Sequence, residues 1–198
     1  MNKKFAIILG EPNSINSEII FKIWKKNKKK FKNIFLIGNI KLLKKQLKIL
    51  KIKNIKFKEI KSLYNINSTK YFNILNINLD FQHCFNVKKK DSSIFIKKCF
   101  DTAHNFAIKK EIKGFINCPI DKSRFLNNST PGITEYLSRK NNIFNKEAMV
   151  IFNKKLSVSP VTTHIKINQV ARKVTKNIII NKVRVLNKNL NKILKKKN

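Results

Sequence analysis

At 198 residues the chain is long enough for one domain with a real core and too short for two comfortable ones. It carries 45 Lys+Arg against 10 Asp+Glu, a formal charge of +35, and no apolar stretch of membrane-spanning length, so no membrane partner is expected. Cys84, Cys99 and Cys118 form neither a C-x-x-C pair nor a zinc spacing, which argues against a disulfide framework and for reduced thiols in a cytosol.

The charge admits two readings. Taken alone it points to nucleic acid or another anionic surface. Against that, Lys, Asn, Ile and Phe are abundant while Ala, Gly, Pro and Arg are scarce, the pattern of coding DNA rich in A and T. The lysines are spread through every segment without a stripe of interleaved aromatics, so composition bias is favoured over polyanion binding.

In chain order, residues 5–9 form a continuous apolar run that predicts a strand buried on both faces. Lys3 and Lys4 mimic a signal start, but the run is too short for one and ends in Glu11-Pro12. Residues 14–17 can cap a helix whose apolar face is Ile19, Ile20, Ile23 and Trp24. Residues 33–37 predict a second strand ended by Gly38. Leu42, Leu43, Leu47 and Leu50 suit an amphipathic helix, and residues 55–60 alternate like a further strand. This β-α-β-α-β order predicts a mostly parallel, helix-covered α/β sheet.

Between residues 62 and 90 the pattern weakens; 72–77 read as a strand and 88–91 as a solvated turn. Residues 92–112 predict a helix with Phe95, Cys99, Thr102, Ala103 and Phe106 on one face, stopped by Gly114. A strand over 115–120 follows. Residues 149–152 and 156–162 read as a strand pair around Asn153-Lys154-Lys155. Ile179, Val183, Leu186, Leu190 and Ile193 recur at three- and four-residue spacing, predicting an amphipathic helix over 175–194, with Lys195 to Lys197 suiting its C-terminus.

Most polar punctuation falls between Gly114 and Lys166: Cys118-Pro119-Ile120-Asp121-Lys122, then Pro131-Gly132-Ile133-Thr134-Glu135-Tyr136, then Val161-Thr162-Thr163-His164-Ile165. Each group follows a short apolar run. Strands opening into such residues deliver polar side chains to a sheet edge, where open α/β sheets bind ligands. His164, after a strand and before a helix, is a reasonable metal ligand. Lys122 at a strand end can supply charge to a phosphorylated ligand. Asp121 can cap the helix after it, and Glu135 can cap or pair at a helix start. His83 and His104 match no motif and read as structural. No Walker loop, H-E-x-x-H or G-x-G-x-x-G is present.

These three groups, in this order, resemble the 4-hydroxythreonine-4-phosphate dehydrogenase family of pyridoxal phosphate biosynthesis. That family shows Pro-Ile/Val-x-Lys, then Gly-His-Thr-Glu-(Tyr/Phe), then Thr-Thr-His-(Leu/Ile). Gly10-Glu11-Pro12, with Ile15 and Glu18, resembles its N-terminal Gly-Glu/Asp-Pro-Ala-Gly-Ile-Gly-Pro-Glu signature, with Ser14, Asn16 and Ser17 where Gly, Gly and Pro are expected. Ile133 stands where the family has histidine, so a hydrogen-bonding and charged group is absent there.

The resemblance implies the N-terminal part of the isocitrate/isopropylmalate dehydrogenase-like fold. It implies a C-terminally shortened member, about 1–113 belonging to a first-domain portion and about 114–198 opening a substrate and metal domain. It implies NAD- or NADP-dependent oxidation and decarboxylation of 4-phosphooxy-threonine in pyridoxine 5'-phosphate synthesis. A divalent metal (Zn, Mg or Co) would have His164 as one of three histidine ligands. Lys122 would act in catalysis and Thr134 would contact the phosphorylated hydroxy-amino-acid substrate. Cofactor contacts would lie largely beyond residue 198. A homodimer or a separately encoded C-terminal half is the expected partner, in the cytoplasm. The alternatives are a catalytically inactive remnant or binding protein of this fold and, second, a basic nucleic-acid-binding protein.

Overall fold

The computed structural model describes residues 4–64, 66, 70–125, 132–143, 146–153 and 155–194. It divides into two compact units, Met1–Phe125 and Leu126–Asn198.

The first unit is built on five strands: β1 (Phe5–Ile8), β2 (Ile34–Gly38), β3 (Phe57–Glu59), β4 (Phe72–Asn76) and β5 (Gly114–Asn117). They form one sheet in the order β3-β4-β2-β1-β5, and every pairing is parallel. Parallel neighbours need crossovers, and α1 (Asn16–Lys26), α2 (Ile40–Ile49) and α3 (Lys89–Ile108) supply helical ones. β1 lies inside the sheet between β2 and β5, where Ala6 and Ile8 are fully buried; its register sets Phe5 against both Ile34 and Gly114. Gly114–Asn117 therefore belongs to the first unit, which runs on through α4 (Lys122–Phe125).

Aromatic packing ties helices to sheet. Phe21 and Trp24 of α1 meet Phe72 of β4 at 4.9 and 5.5 Å. Phe100 of α3 stacks on Phe125 of α4 at 5.1 Å and meets Phe115 of β5 edge-on at 6.3 Å. Each fully buried ring contributes roughly 1.5–3 kcal/mol of transfer free energy.

Several boundaries differ from the sequence reading. The buried face of α1 is Ser17, Ile20, Phe21 and Trp24, while Ile19 and Ile23 are 40% and 48% exposed. The rotation puts both aromatic rings inside, where they bury the most area. Lys89 to Asp91 are not a turn but the first turn of α3, where Asp91 suits the positive helix end. That helix stops at Ile108, well before Gly114. Lys110 sits at φ 58°, Glu111 N–H donates to Phe106 O (2.9 Å) and Lys110 N–H to Ala107 O (3.0 Å), a Schellman closure. α2 closes the same way at Lys51 (φ 53°), with Ile52 N–H donating to Leu47 O (3.0 Å).

The second unit contains α5 (Ile133–Lys140), α6 (Val170–Lys173) and α7 (Lys176–Leu194). The strand pair expected around Asn153 is reduced to one antiparallel bridge, Ile151 with Val158, so neither run is a strand. An isolated pair without a third strand or a covering helix gains too little burial to propagate. The lysines at 195–197 lie outside the described residues.

Candidate functional site

In the first unit, β1 ends in a turn that combines one required glycine with side-chain hydrogen bonds. Gly10 has φ 77°, and a Cβ there would lie 2.5 Å from Pro119 O. Only glycine fits both the dihedral and the space. Asn16 Nδ2 donates to Leu9 O and to Pro119 O, each at 2.9 Å, and Glu11 N–H donates to Pro119 O at 3.1 Å. Ser14 Oγ donates to Glu11 O at 2.6 Å and accepts from Asn16 N–H at 3.2 Å. Asn16 thus latches the β1–α1 turn onto the loop after β5, while Ser14 braces the turn itself.

Asn13 exchanges two hydrogen bonds with the Val87 backbone, at 2.7 and 2.9 Å. Glu11 is 7% exposed, and its Oε1 accepts from Ser92 Oγ at 2.9 Å. A cavity of about 360 Å³ opens there, lined by Glu11, Asn13, Ser14, Pro119, Ile120 and Asp121. Two carboxylates in its wall disfavour a pyrophosphate, so this turn does not fit the phosphates of a dinucleotide.

Lys122 begins α4 with an exposed side chain, and Asp121 O accepts from Phe125 N–H at 3.0 Å. Beside it, burial pushes the Cys118 thiol up to about 11, and deeper burial lifts Cys99 further still. Neither is a ready thiolate at neutral pH.

In the second unit, Gly132 precedes α5 and its carbonyl accepts from Tyr136 N–H at 3.0 Å. Thr134, exposed, is in the first turn. Glu135 reaches back: its Oε1 accepts from Thr163 Oγ1 at 3.1 Å, so its role is to hold the Thr163-His164 turn. Its other oxygen is buried and unbonded. A Cβ on Gly132 would meet that Oε2 at 2.6 Å and His164 Nε2 at 3.2 Å. The absence of a side chain at 132 therefore makes the room in which carboxylate and imidazole lie side by side. His164 itself is exposed and left-handed (φ 56°), a conformation His tolerates better than branched residues.

The fold thus brings together Gly132, Glu135, Thr163 and His164 in one unit, with Thr134 in the adjoining turn, and places Lys122 in the other. Sequence reading found His164, Thr134 and Lys122; it gave Glu135 only a capping or pairing role and missed the Asn13 and Asn16 latches. Asn in a turn after a strand was the available signal for the latter. Among the described residues no group of three or more His, Cys, Asp or Glu could hold a metal ion. One imidazole does not satisfy a catalytic metal, which takes about three protein ligands, so the described residues do not fit that ion by themselves.

The profile of the family described as pyridoxal phosphate biosynthetic protein PdxA matches residues 30–198. This chain belongs to the PdxA family. The 4-hydroxythreonine-4-phosphate dehydrogenase of Sulfurihydrogenibium sp. (strain YO3AOP1) is 31% identical over 189 residues, 93% of this chain and 57% of its own length. That of Aquifex aeolicus (strain VF5) is 31% identical over 191 residues, 95% of this chain and 58% of its own. The chain thus spans somewhat over half the length of these curated relatives. Among solved structures, 4-hydroxythreonine-4-phosphate dehydrogenase from Klebsiella pneumoniae superposes with a TM-score of 0.85 at 21% identity, over 96% of this chain and 59% of that one.

The PdxA assignment also places the parallel sheet in the isocitrate/isopropylmalate dehydrogenase-like fold. A terephthalate 1,2-cis-dihydrodioldehydrogenase from Burkholderia xenovorans LB400 shares that fold at TM-score 0.62 and 14% identity, so the fold alone does not choose the substrate. No helix is long and apolar enough to cross a membrane among the described residues.

Proposed function

We propose that this chain is the first part of a cytoplasmic 4-hydroxythreonine-4-phosphate dehydrogenase. Its reaction is the NAD- or NADP-dependent oxidation and decarboxylation of 4-phosphooxy-threonine in pyridoxine 5'-phosphate synthesis. The observation that carries the reading is the hydrogen bond from Thr163 to Glu135, which joins the Gly132–Glu135 turn to the Thr163-His164 turn. In this reading the second unit opens the substrate and metal domain. Thr134 offers a hydroxyl that can donate to or accept from the substrate. The Lys122 ammonium supplies charge toward a phosphate, and Glu135 fixes the backbone that presents His164. A divalent metal (Zn, Mg or Co) would need ligands beyond His164, and the dinucleotide would need contacts outside the β1 turn; in this reading a partner supplies them. A homodimer or a second polypeptide is the source.

A second reading, a binding protein of this fold without turnover, is favoured by one residue. Ile133 precedes Thr134 and can neither donate a hydrogen bond nor carry charge.

Reduction of NAD or NADP with 4-phosphooxy-threonine and each metal ion discriminates the readings. The chain alone is expected to give no metal-dependent turnover. Supplied with the part of the A. aeolicus relative that it does not span, it is expected to turn over and to lose activity with His164→Ala. Turnover by the chain alone would refute the dependence on outside ligands. An assembled complex that stays silent even with Ile133→His would leave the binding-protein reading standing.

A further inference from the structure

Another cavity of the first unit, of about 770 Å³, opens between α2 and the loop that follows β4. Lys45, Lys48 and Ile49 form its helical wall, and spacings of three and four residues put all three on one face of α2. The loop wall brings Gln82, His83, Phe85 and Asn86. That loop is held in advance. Gln46, 1% exposed, donates through Nε2 to Cys84 O at 2.8 Å and to Pro12 O at 2.7 Å. Asn86 N–H closes on His83 O at 3.2 Å, and Asn13 clasps Val87 just beyond. A wall fixed before binding loses little entropy when a ligand arrives.

Charge separates this cavity from the one at the β1 turn. No carboxylate lines it, whereas Glu11 and Asp121 line the other. Neither lysine pairs with a carboxylate among the described residues; Lys45 Nζ lies 5.1 Å from the centre of the Phe81 ring. The C-terminal end of α2 contributes about half a negative charge, which two ammoniums outweigh. Their sum suits a phosphate monoester, at about −1.5 to −2, better than a carboxylate. Apolar groups complete the wall: Ile49 is 61% exposed and Phe85 36%. An exposed ring on a pinned loop offers a stacking face. The volume lies within the roughly 300–1,000 Å³ of small-molecule sites, more than a bare phosphate fills. We propose that this cavity binds a small phosphate monoester carried on a flat apolar ring. Lys45, Lys48 and His83 hold the phosphate, and Phe85 and Ile49 hold the ring. None of these residues takes part in the dehydrogenase reading, so the two can fail separately.

The probe is phenyl phosphate, titrated into the 198-residue chain and followed by backbone amide NMR shifts. Saturable shifts confined to residues 45–49 and 82–86 are expected, with a Kd below about 1 mM. Inorganic phosphate and benzyl alcohol each carry half of the chemistry and are expected to bind about tenfold more weakly, or worse. Lys45→Ala with Lys48→Ala, and separately Phe85→Ala, are expected to weaken phenyl phosphate binding by about tenfold. Lys25→Ala with Lys26→Ala removes the same charge from α1, outside the cavity, and is expected to leave the Kd within about twofold. Unchanged amide shifts across the sheet establish that each variant is folded. Equal weakening by the two lysine pairs would reduce the effect to overall charge, and inorganic phosphate binding as tightly as phenyl phosphate would remove the ring. An end-phosphorylated oligonucleotide binding there more tightly than phenyl phosphate would assign the cavity to nucleic acid. Each of these, or no saturable shift at these residues, would overturn the proposal.

Discussion

Gly10 and Asn16 carry more of the site's geometry than any charged residue near them. The carbonyl of Pro119 receives both Glu11 N–H and Asn16 Nδ2, so the loop leading to Lys122 is fixed from the β1 side. A methyl group at position 10 meets that oxygen at 2.5 Å on a backbone at φ 77°. Gly10→Ala is therefore expected to cost about 2 kcal/mol or more, read as a lowered urea midpoint with unchanged slope. A midpoint shift within a few tenths of a molar would mean that the turn relaxes freely and the latch is loose. Glu135 acts on the same scale in the other unit. Its buried carboxylate and the imidazole of His164 share the space that Gly132 leaves, which explains why glycine and not serine precedes Ile133.

Helix ends form the clearest pattern among the elements. α2, α3 and α5 all close through left-handed residues that are not glycine: Lys51, Lys110 and Asn142, at φ 53°, 58° and 54°. A chain with four glycines spends none of them there. A lysine in this conformation costs roughly 1 kcal/mol relative to glycine. Lys110→Gly is expected to raise stability by about that amount, measured by thermal or urea unfolding, with α3 retaining its length; a loss of stability would show that the lysine stem contributes packing that outweighs strain.

These closures also show where sequence reading reaches its limit. β1, β2, β4 and α7 were legible because apolar runs and three- and four-residue spacings are what burial selects. The end of α3 was illegible because its stop signal is a backbone conformation adopted by an ordinary lysine. The face of α1 was misread because four apolar residues at 19, 20, 23 and 24 compete with Ser17, Ile20, Phe21 and Trp24, and only packing chooses. In the candidate site, the motif residues were visible as letters, but the Glu135–Thr163 contact spans 28 positions and no local pattern encodes it.

On the scale of the whole molecule, charge and burial are unevenly matched. The +35 charge is spread widely, so retention on DNA is expected at low salt, equal across sequences, and lost by physiological salt. A filter-binding series in rising salt checks this; sequence-selective retention at physiological salt would revive a nucleic-acid role.

The sheet order has one more consequence, for the history of each molecule rather than its finished form. β1 pairs on one side with β2, about thirty residues on, and on the other with β5, for which Phe5 must wait for Gly114. Closing so long a loop is slow, and in a parallel sheet nothing local rewards it in advance. Until β5 arrives, one full flank of Phe5–Ile8 stands open as an apolar edge, the kind that recruits other chains. Pulse-labelled hydrogen exchange during refolding should find β2 and β4 protected before β5; simultaneous protection would mean that α3 delivers the last strand in the same step. A ribosome making this chain therefore holds an open-edged sheet from the completion of β2 at Gly38 until β5 is made at Gly114–Asn117.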